Sequence, residues 1–184
     1  IGLIEAGLIS KCRKEYDALT KRIVEAGRAQ NPNARPESGY HSALAASQDT
    51  EKWVQVDLGQ STPVRRVVLK PCYDDFAGIG AGFGFPVRFK IEVSDDETFK
   101  TGVSLFGGRH DETFARDFPN PHLQPFEAQS GTAEDLRGRY VRVTAVKLAH
   151  RSKDYMLALA ELEVFGQGGS VNLAMGKPVI AKDS

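Results

Sequence analysis

Cysteine, tryptophan, surplus charge and long apolar runs are all scarce in this 184-residue chain. The two cysteines, Cys12 and Cys72, lie far apart and in no metal-ligand spacing, so neither a disulfide framework nor a thiolate zinc site is written into the sequence. A bridge between them stays open in an oxidising compartment; two unpaired, packed thiols are the expected state. Lysine plus arginine number 24 and aspartate plus glutamate 24, a net charge of zero. A nucleic-acid binder must neutralise many phosphates, and no Lys/Arg run serves that purpose, so no nucleic-acid partner is expected. No apolar stretch approaches the roughly 20 residues that cross a bilayer. The chain opens on Ile1 without a signal peptide, and we read it as a fragment of a longer, secreted (extracellular or periplasmic) parent.

Catalytic patterns are missing too. His41, His110, His122 and His150 are scattered, and no G-x-S-x-G or H-E-x-x-H run accompanies them, which removes the usual signs of a nucleophilic triad or a metalloprotease helix. The carboxylate pairs Asp74/Asp75 and Asp95/Asp96 are adjacent in sequence, which in a strand or turn points them apart. His110-Asp111-Glu112 in a loop offers only an opportunistic metal contact. The chain is expected not to be an enzyme.

What is present is periodicity. From Leu3 to about Arg28, Ile4, Leu8, Cys12, Tyr16, Leu19 and Ile23 recur at intervals of three and four, which predicts an amphipathic α-helix that either ends a preceding domain or packs on the module after it. Asn31 to Pro36 breaks it. Beyond Pro36 the period falls to two. Trp53–Leu58, Val64–Leu69, Val87–Val93, Gly102–Phe106, Arg139–Val146 and Leu157–Phe165 read as short strands joined by Gly/Pro/Asp/Ser turns. With no crossover helix between them, they predict an all-β antiparallel β-sandwich or jelly roll with an N-terminal α-helix. The expected organisation is residues 1–30 as the helix, 36–166 as the sandwich module, and 167–184 as a Gly/Ser linker with one further strand.

Four segments carry a resemblance to a known family. Trp53-Val54-Gln55-Val56-Asp57-Leu58-Gly59, Arg88 to Asp96 (RFKIEVSDD), Arg139 to Val143 (RYVRV) and Ala160 to Gly166 (AELEVFG) resemble, in order, strands of discoidin domains. These are also called coagulation factor 5/8 type C domains and are related to family-32 carbohydrate-binding modules, with a galactose-binding-domain-like fold. The tail Asn172 to Val179 (NLAMGKPV) resembles the opening of the same family. Either it begins a second module or it completes the first, which lacks that opening before Ser38. Tandem modules of this kind resemble those of bacterial glycoside hydrolases.

The resemblance implies a non-catalytic carbohydrate-binding module whose partner is a glycan or polysaccharide, at the sandwich end formed by three loops. Here those are Glu37 to Thr50, Pro71 to Pro86 and Ala149 to Met156. Tyr40 and His41 sit in the first; Tyr73, Asp74, Asp75 and Phe76 in the second; His150, Arg151, Asp154 and Tyr155 in the third. Rings that cover the C–H face of a sugar and polar groups that pair its hydroxyls are the chemistry such a ligand needs. Phe83 and Phe85 beside Pro86 read as loop core. The resemblance also implies a structural calcium, with Glu161 of the closing motif as one ligand, although Ser42 to Thr50 lacks the family's acidic upstream segment. Two other readings compete: a structural module that contacts neighbouring domains of its parent, and a phospholipid membrane binder using Ile79, Phe83 and Phe85. The second lacks flanking Lys/Arg.

Overall fold

The computed structural model describes residues 11, 14, 15, 18, 38–74, 79–106, 117–130 and 136–183. The chain divides into two units, Ile1–Pro36 and Glu37–Ser184. In chain order the strands of the second unit are β1 (Tyr40–His41), β2 (Lys52–Val64), β3 (Arg66–Lys70), β4 (Tyr73–Asp74), β5 (Gly80–Ala81), β6 (Arg88–Ser94) and β7 (Ser104–Leu105). They continue with β8 (Phe126–Gln129), β9 (Leu136–Lys147), β10 (Ala149–His150), β11 (Tyr155–Met156), β12 (Ala158–Leu159), β13 (Glu161–Phe165) and β14 (Val179–Ala181).

The fold is an all-β antiparallel sandwich, and one part of the expected fold class is corrected: the N-terminal α-helix is not among its elements. Of the stretch Leu3 to Arg28, only Lys11, Lys14, Glu15 and Ala18 are described. Their backbone is locally helical and they are exposed, but four separate positions make no element. The rest of that stretch, Cys12 included, lies outside the described residues. An apolar period of three and four is a local propensity, whereas most of a helix's stability in a protein comes from tertiary packing.

One sheet has the strand order β14-β2-β9-β6-β7 and the other β13-β3-β8. Alternation decides which side chains meet between them. Val54, Val56 and Leu58 of β2, Phe89, Ile91 and Val93 of β6, and Val141, Val143 and Ala145 of β9 form one inner face; Val67 and Leu69 of β3, Ala128 of β8 and Val164 of β13 belong to the other, and all join one buried cluster. Each of the valine, leucine, isoleucine and phenylalanine side chains contributes about 1.5–3 kcal/mol on burial. Phe89, fully buried, is the hub of an aromatic knot, with ring centroids 5.7 Å from Phe85, 5.1 Å from Phe118 and 5.0 Å from Phe126.

Trp53 lies on the opposite, outward parity from Val54. There the Arg142 guanidinium stacks on it at 4.3 Å and on Phe99 at 4.0 Å, while its Nε and Nη2 donate to Gln55 Oε1 at 2.9 and 2.6 Å. This polar layer shields Gln55, which is 1% exposed although it sits on the outer face. Two expected strands grow in the structure: β2 runs on to Val64 past an irregularity between Asp57 and Thr62, and β9 begins at Leu136. The expected strand Leu157–Phe165 is divided into β12 and β13.

Candidate functional site

The site is assembled where three connections converge at one end of the sandwich. The connection after β3 turns back as the hairpin β4-β5, pairing Tyr73 with Ala81 and Asp74 with Gly80. The connection after β9 does the same as β10-β11, pairing His150 with Tyr155. The segment before β2 is held beside it: Ala45 and Tyr155 exchange backbone hydrogen bonds at 2.8 and 2.9 Å, Ser42 N–H donates to the Leu157 carbonyl at 2.8 Å, and Ser42 Oγ accepts from Leu157 N–H at 3.0 Å.

The glycines of the second loop let it fold tightly against its neighbours. Gly82 has φ 76° and a Cβ there would sit 2.3 Å from the His122 carbonyl oxygen; Gly84 has φ 69° and its Cβ would sit 2.5 Å from that of Ala158. Both positions therefore require glycine, for conformation and for space. Gly82 N–H donates to the Cys72 carbonyl at 2.7 Å, and His122 N–H to the Gly82 carbonyl at 2.9 Å, which draws the Asn120–His122 segment onto the loop. Underneath, Cys72 is buried with Met156 and Ala158. Burial, with the Asp74 charge second, pushes its thiol up to about 12, so it is a packing group rather than a nucleophile.

The result is a cavity of about 740 Å³. His41, Asp74, Asn120, His150, Arg151 and Ser152 supply its polar lining, and Ile79, Phe83, Pro121 and Met156 its apolar lining. The His41 ring meets the Phe83 edge at 5.0 Å and 86°. Its Nε2 lies 2.7 Å from the Ser38 carbonyl; a carbonyl only accepts, so Nε2 carries a proton and is spent on that bond. Asn120 Nδ2 donates to the His150 carbonyl at 2.6 Å, which fixes the amide and leaves its oxygen for another partner. Arg151 Nε and Nη2 donate to Asp154 Oδ1 and Oδ2 at 2.8 and 2.9 Å, and Arg151 N–H to the Asp154 carbonyl at 2.9 Å. Hydrogen bonding by Arg151 holds the Asp154 carboxyl below the usual range. A guanidinium oriented this way keeps further N–H donors for a ligand. The lining therefore offers donors, acceptors and an apolar wall, the combination that a polyhydroxylated ligand with a C–H face fits.

Of the residues singled out from sequence, His41, Asp74, His150 and Arg151 line one cavity. Asp154 clamps Arg151, and Tyr155 packs edge-on against His150 at 5.4 Å. Tyr73 is exposed but does not line the cavity. Tyr40 packs against the core and its buried hydroxyl has no hydrogen-bond partner, so it is a core-edge residue. Asp75 and Phe76 lie outside the described residues. Phe85 is fully buried, whereas Phe83 lines the cavity. Sequence reasoning missed Asn120 and Pro121, which lie between strands in a stretch that resembles no family motif.

The described residues do not gather a carboxylate set for the calcium that the resemblance implies. Among the described residues no three His, Cys, Asp or Glu side chains gather to hold a metal ion. Glu161 is exposed and pairs in register with Lys70, whose ammonium is 2.7 Å from Glu163. Of the segment Ser42 to Thr50, Ser42 and Ala45 are fastened by direct hydrogen bonds to Leu157 and Tyr155.

The model of the F5/8 type C domain matches residues 20–161. No curated protein matches the chain in sequence. Among solved structures, chitosan-binding module 1 from the chitosanase/glucanase of Paenibacillus sp. IK-5 is 22% identical with a TM-score of 0.44, over 67% of this chain and 74% of that one. The family 32 CBM from C. perfringens NanJ, in complex with galactose, is 14% identical with a TM-score of 0.48, over 72% and 79%. The lectin domain of lectinolysin, complexed with Lewis B antigen, is 22% identical with a TM-score of 0.41, over 73% and 80%. No helix among the described residues is long and apolar enough to cross a membrane.

Proposed function

The chain belongs to the F5/8 type C domain family, and from that premise we propose that it is a non-catalytic carbohydrate-binding module. The observation that carries this reading is the cavity itself. It brings His41, Asp74, His150 and Arg151, from three separate loops, around an apolar wall that includes Phe83. A sugar ring needs both kinds of contact at once: a ring or aliphatic surface against its C–H face, and charged or polar groups that pair its hydroxyls without leaving them dry and unpaired.

In its parent, a secreted multi-domain protein of glycoside hydrolase type, the module holds a catalytic domain near polysaccharide and raises its effective concentration there. Single-site affinity is weak, on the order of millimolar to tens of micromolar, because a sugar's hydroxyls exchange water for protein partners with little net gain. Affinity electrophoresis of the purified protein through immobilised polysaccharides, together with a glycan array that includes chitosan and galactose, tests the proposal. Retention by at least one glycan, abolished by His150→Ala, is the expected result; no retention on any of them overturns it.

A further inference from the structure

The segment that resembles the family's opening stands, in this chain, after the segment that resembles its close. In the structure it does not lead away from the sandwich. Val179, Ile180 and Ala181 pair with Val56, Gln55 and Val54 along the outer edge of β2. The ladder is extended at both ends, where Asp57 N–H donates to the Pro178 carbonyl at 3.0 Å and Lys182 N–H to the Trp53 carbonyl at 3.1 Å.

The turn before the strand is fastened to the other sheet. Leu173 N–H donates to the Val164 carbonyl at 2.7 Å, and Asn172 Oδ1 accepts from the N–H groups of Val164 and Ala174, both at 3.0 Å. Leu173, Ala174 and Ala181 pack against the central core. Beyond the strand, Asp183 forms an ion pair with Lys52, which is 4% exposed. An ammonium that deep needs a compensating charge, and the tail supplies it.

We propose that Asn172 to Asp183 is this sandwich's own opening strand delivered in permuted order, so that the edge of β2 is closed from the far end of the chain and the module runs past Gly166 to Asp183. A segment that merely linked this module to another would leave the β2 edge as a row of bare N–H and C=O groups and Lys52 without its partner.

Amide hydrogen exchange on the full chain tests this first. The Asp57 and Lys182 amides are expected to exchange about 100-fold or more slowly than in an unfolded chain, as amides in a formed ladder do. Exchange of these two at unprotected rates, while Val141 and Val143 stay protected, overturns the proposal. The second test deletes residues 169–184. The shortened chain is expected to unfold at a lower denaturant concentration, and a peptide of residues 169–184 added in trans is expected to restore the midpoint saturably. An unchanged midpoint on deletion overturns it. Neither measurement involves a glycan, so failure of the sugar-binding reading leaves this inference standing, and the reverse.

Discussion

Asp57 and Arg139 meet fork to fork across β2 and β9, with Arg139 Nε 2.7 Å from Asp57 Oδ1 and Nη2 2.7 Å from Oδ2. The pair ties the Trp53–Gly59 segment to the Arg139–Val143 segment at the point where β2 loses its regular register, and Asp57 Oδ1 also accepts from Gly59 N–H at 2.7 Å. Two of the stretches that carry the family resemblance are thus joined by a bidentate ion pair, which places these charges for geometry as well as for solubility.

Hydrogen bonding by Arg139 holds the Asp57 carboxyl below the usual range. A carboxyl whose folded value is lowered adds stability above its unfolded value, near 3.9, and loses it as pH falls through the folded one. Asp57→Asn should lower the melting temperature by about 2–4 °C at neutral pH, a modest effect because Arg139 is well exposed. The gap between wild type and variant should close as pH drops below about 4. Thermal unfolding followed by circular dichroism between neutral and acid pH measures this; a gap that is constant with pH would refute the ion-pair account.

Phe89→Ala removes the hub of the aromatic knot. A fully buried ring lost from a close-packed core costs about 3–5 kcal/mol, the spread reflecting how far the cavity collapses. Urea titration should show the midpoint falling while the slope is kept. A loss under about 1 kcal/mol would mean that the knot is loosely packed.

Within the cavity, Asn120→Ala should weaken glycan retention without moving the melting temperature by more than about 2 °C, since its bond to the His150 carbonyl lies at the exposed end of the sandwich. Asn120 orients the His150 hairpin and presents its own oxygen. Loss of retention in Asn120→Ala and in Phe83→Ala alike would show that the polar and apolar linings serve one ligand. Unchanged retention in both would separate the cavity from sugar binding.

Because no carboxylate set for calcium gathers among the described residues, addition of calcium chloride or of a chelator should leave the melting temperature unchanged within about 1 °C, whereas a site-specific ion at 100-fold its dissociation constant would stabilise by about 2.7 kcal/mol. Glu161 supports the same test from the other side. Glu161 is exposed, so Glu161→Gln should change stability by no more than about 0.5 kcal/mol at neutral pH. A marked, calcium-dependent destabilisation in that variant would restore the metal.

The strands were legible in the chain because alternation is a local property. Val87 to Val93 has to put Phe89, Ile91 and Val93 on one side whatever surrounds it, and so it does. The edge strand β8 escaped notice since Phe126–Gln129 alternates too briefly to stand out. The N-terminal stretch shows the limit of periodicity: its stripe predicts a helix, and the elements of the described residues do not include one. The candidate site was partly legible, because loops flanking recognisable strands name themselves. Asn120 was not, for no local pattern says that residues after Asp117 fold back under Gly82.

Residue order by itself determined the all-β sandwich and the faces of the long strands, since each depends on neighbours one to four positions away. Tertiary structure alone decided that Tyr40 turns to the core while His41 turns to the cavity, that Asn120 joins His150, and that the last strand closes the first sheet. Those outcomes depend on excluded volume and hydrogen-bond satisfaction between segments up to the length of the chain apart, and no local pattern encodes them.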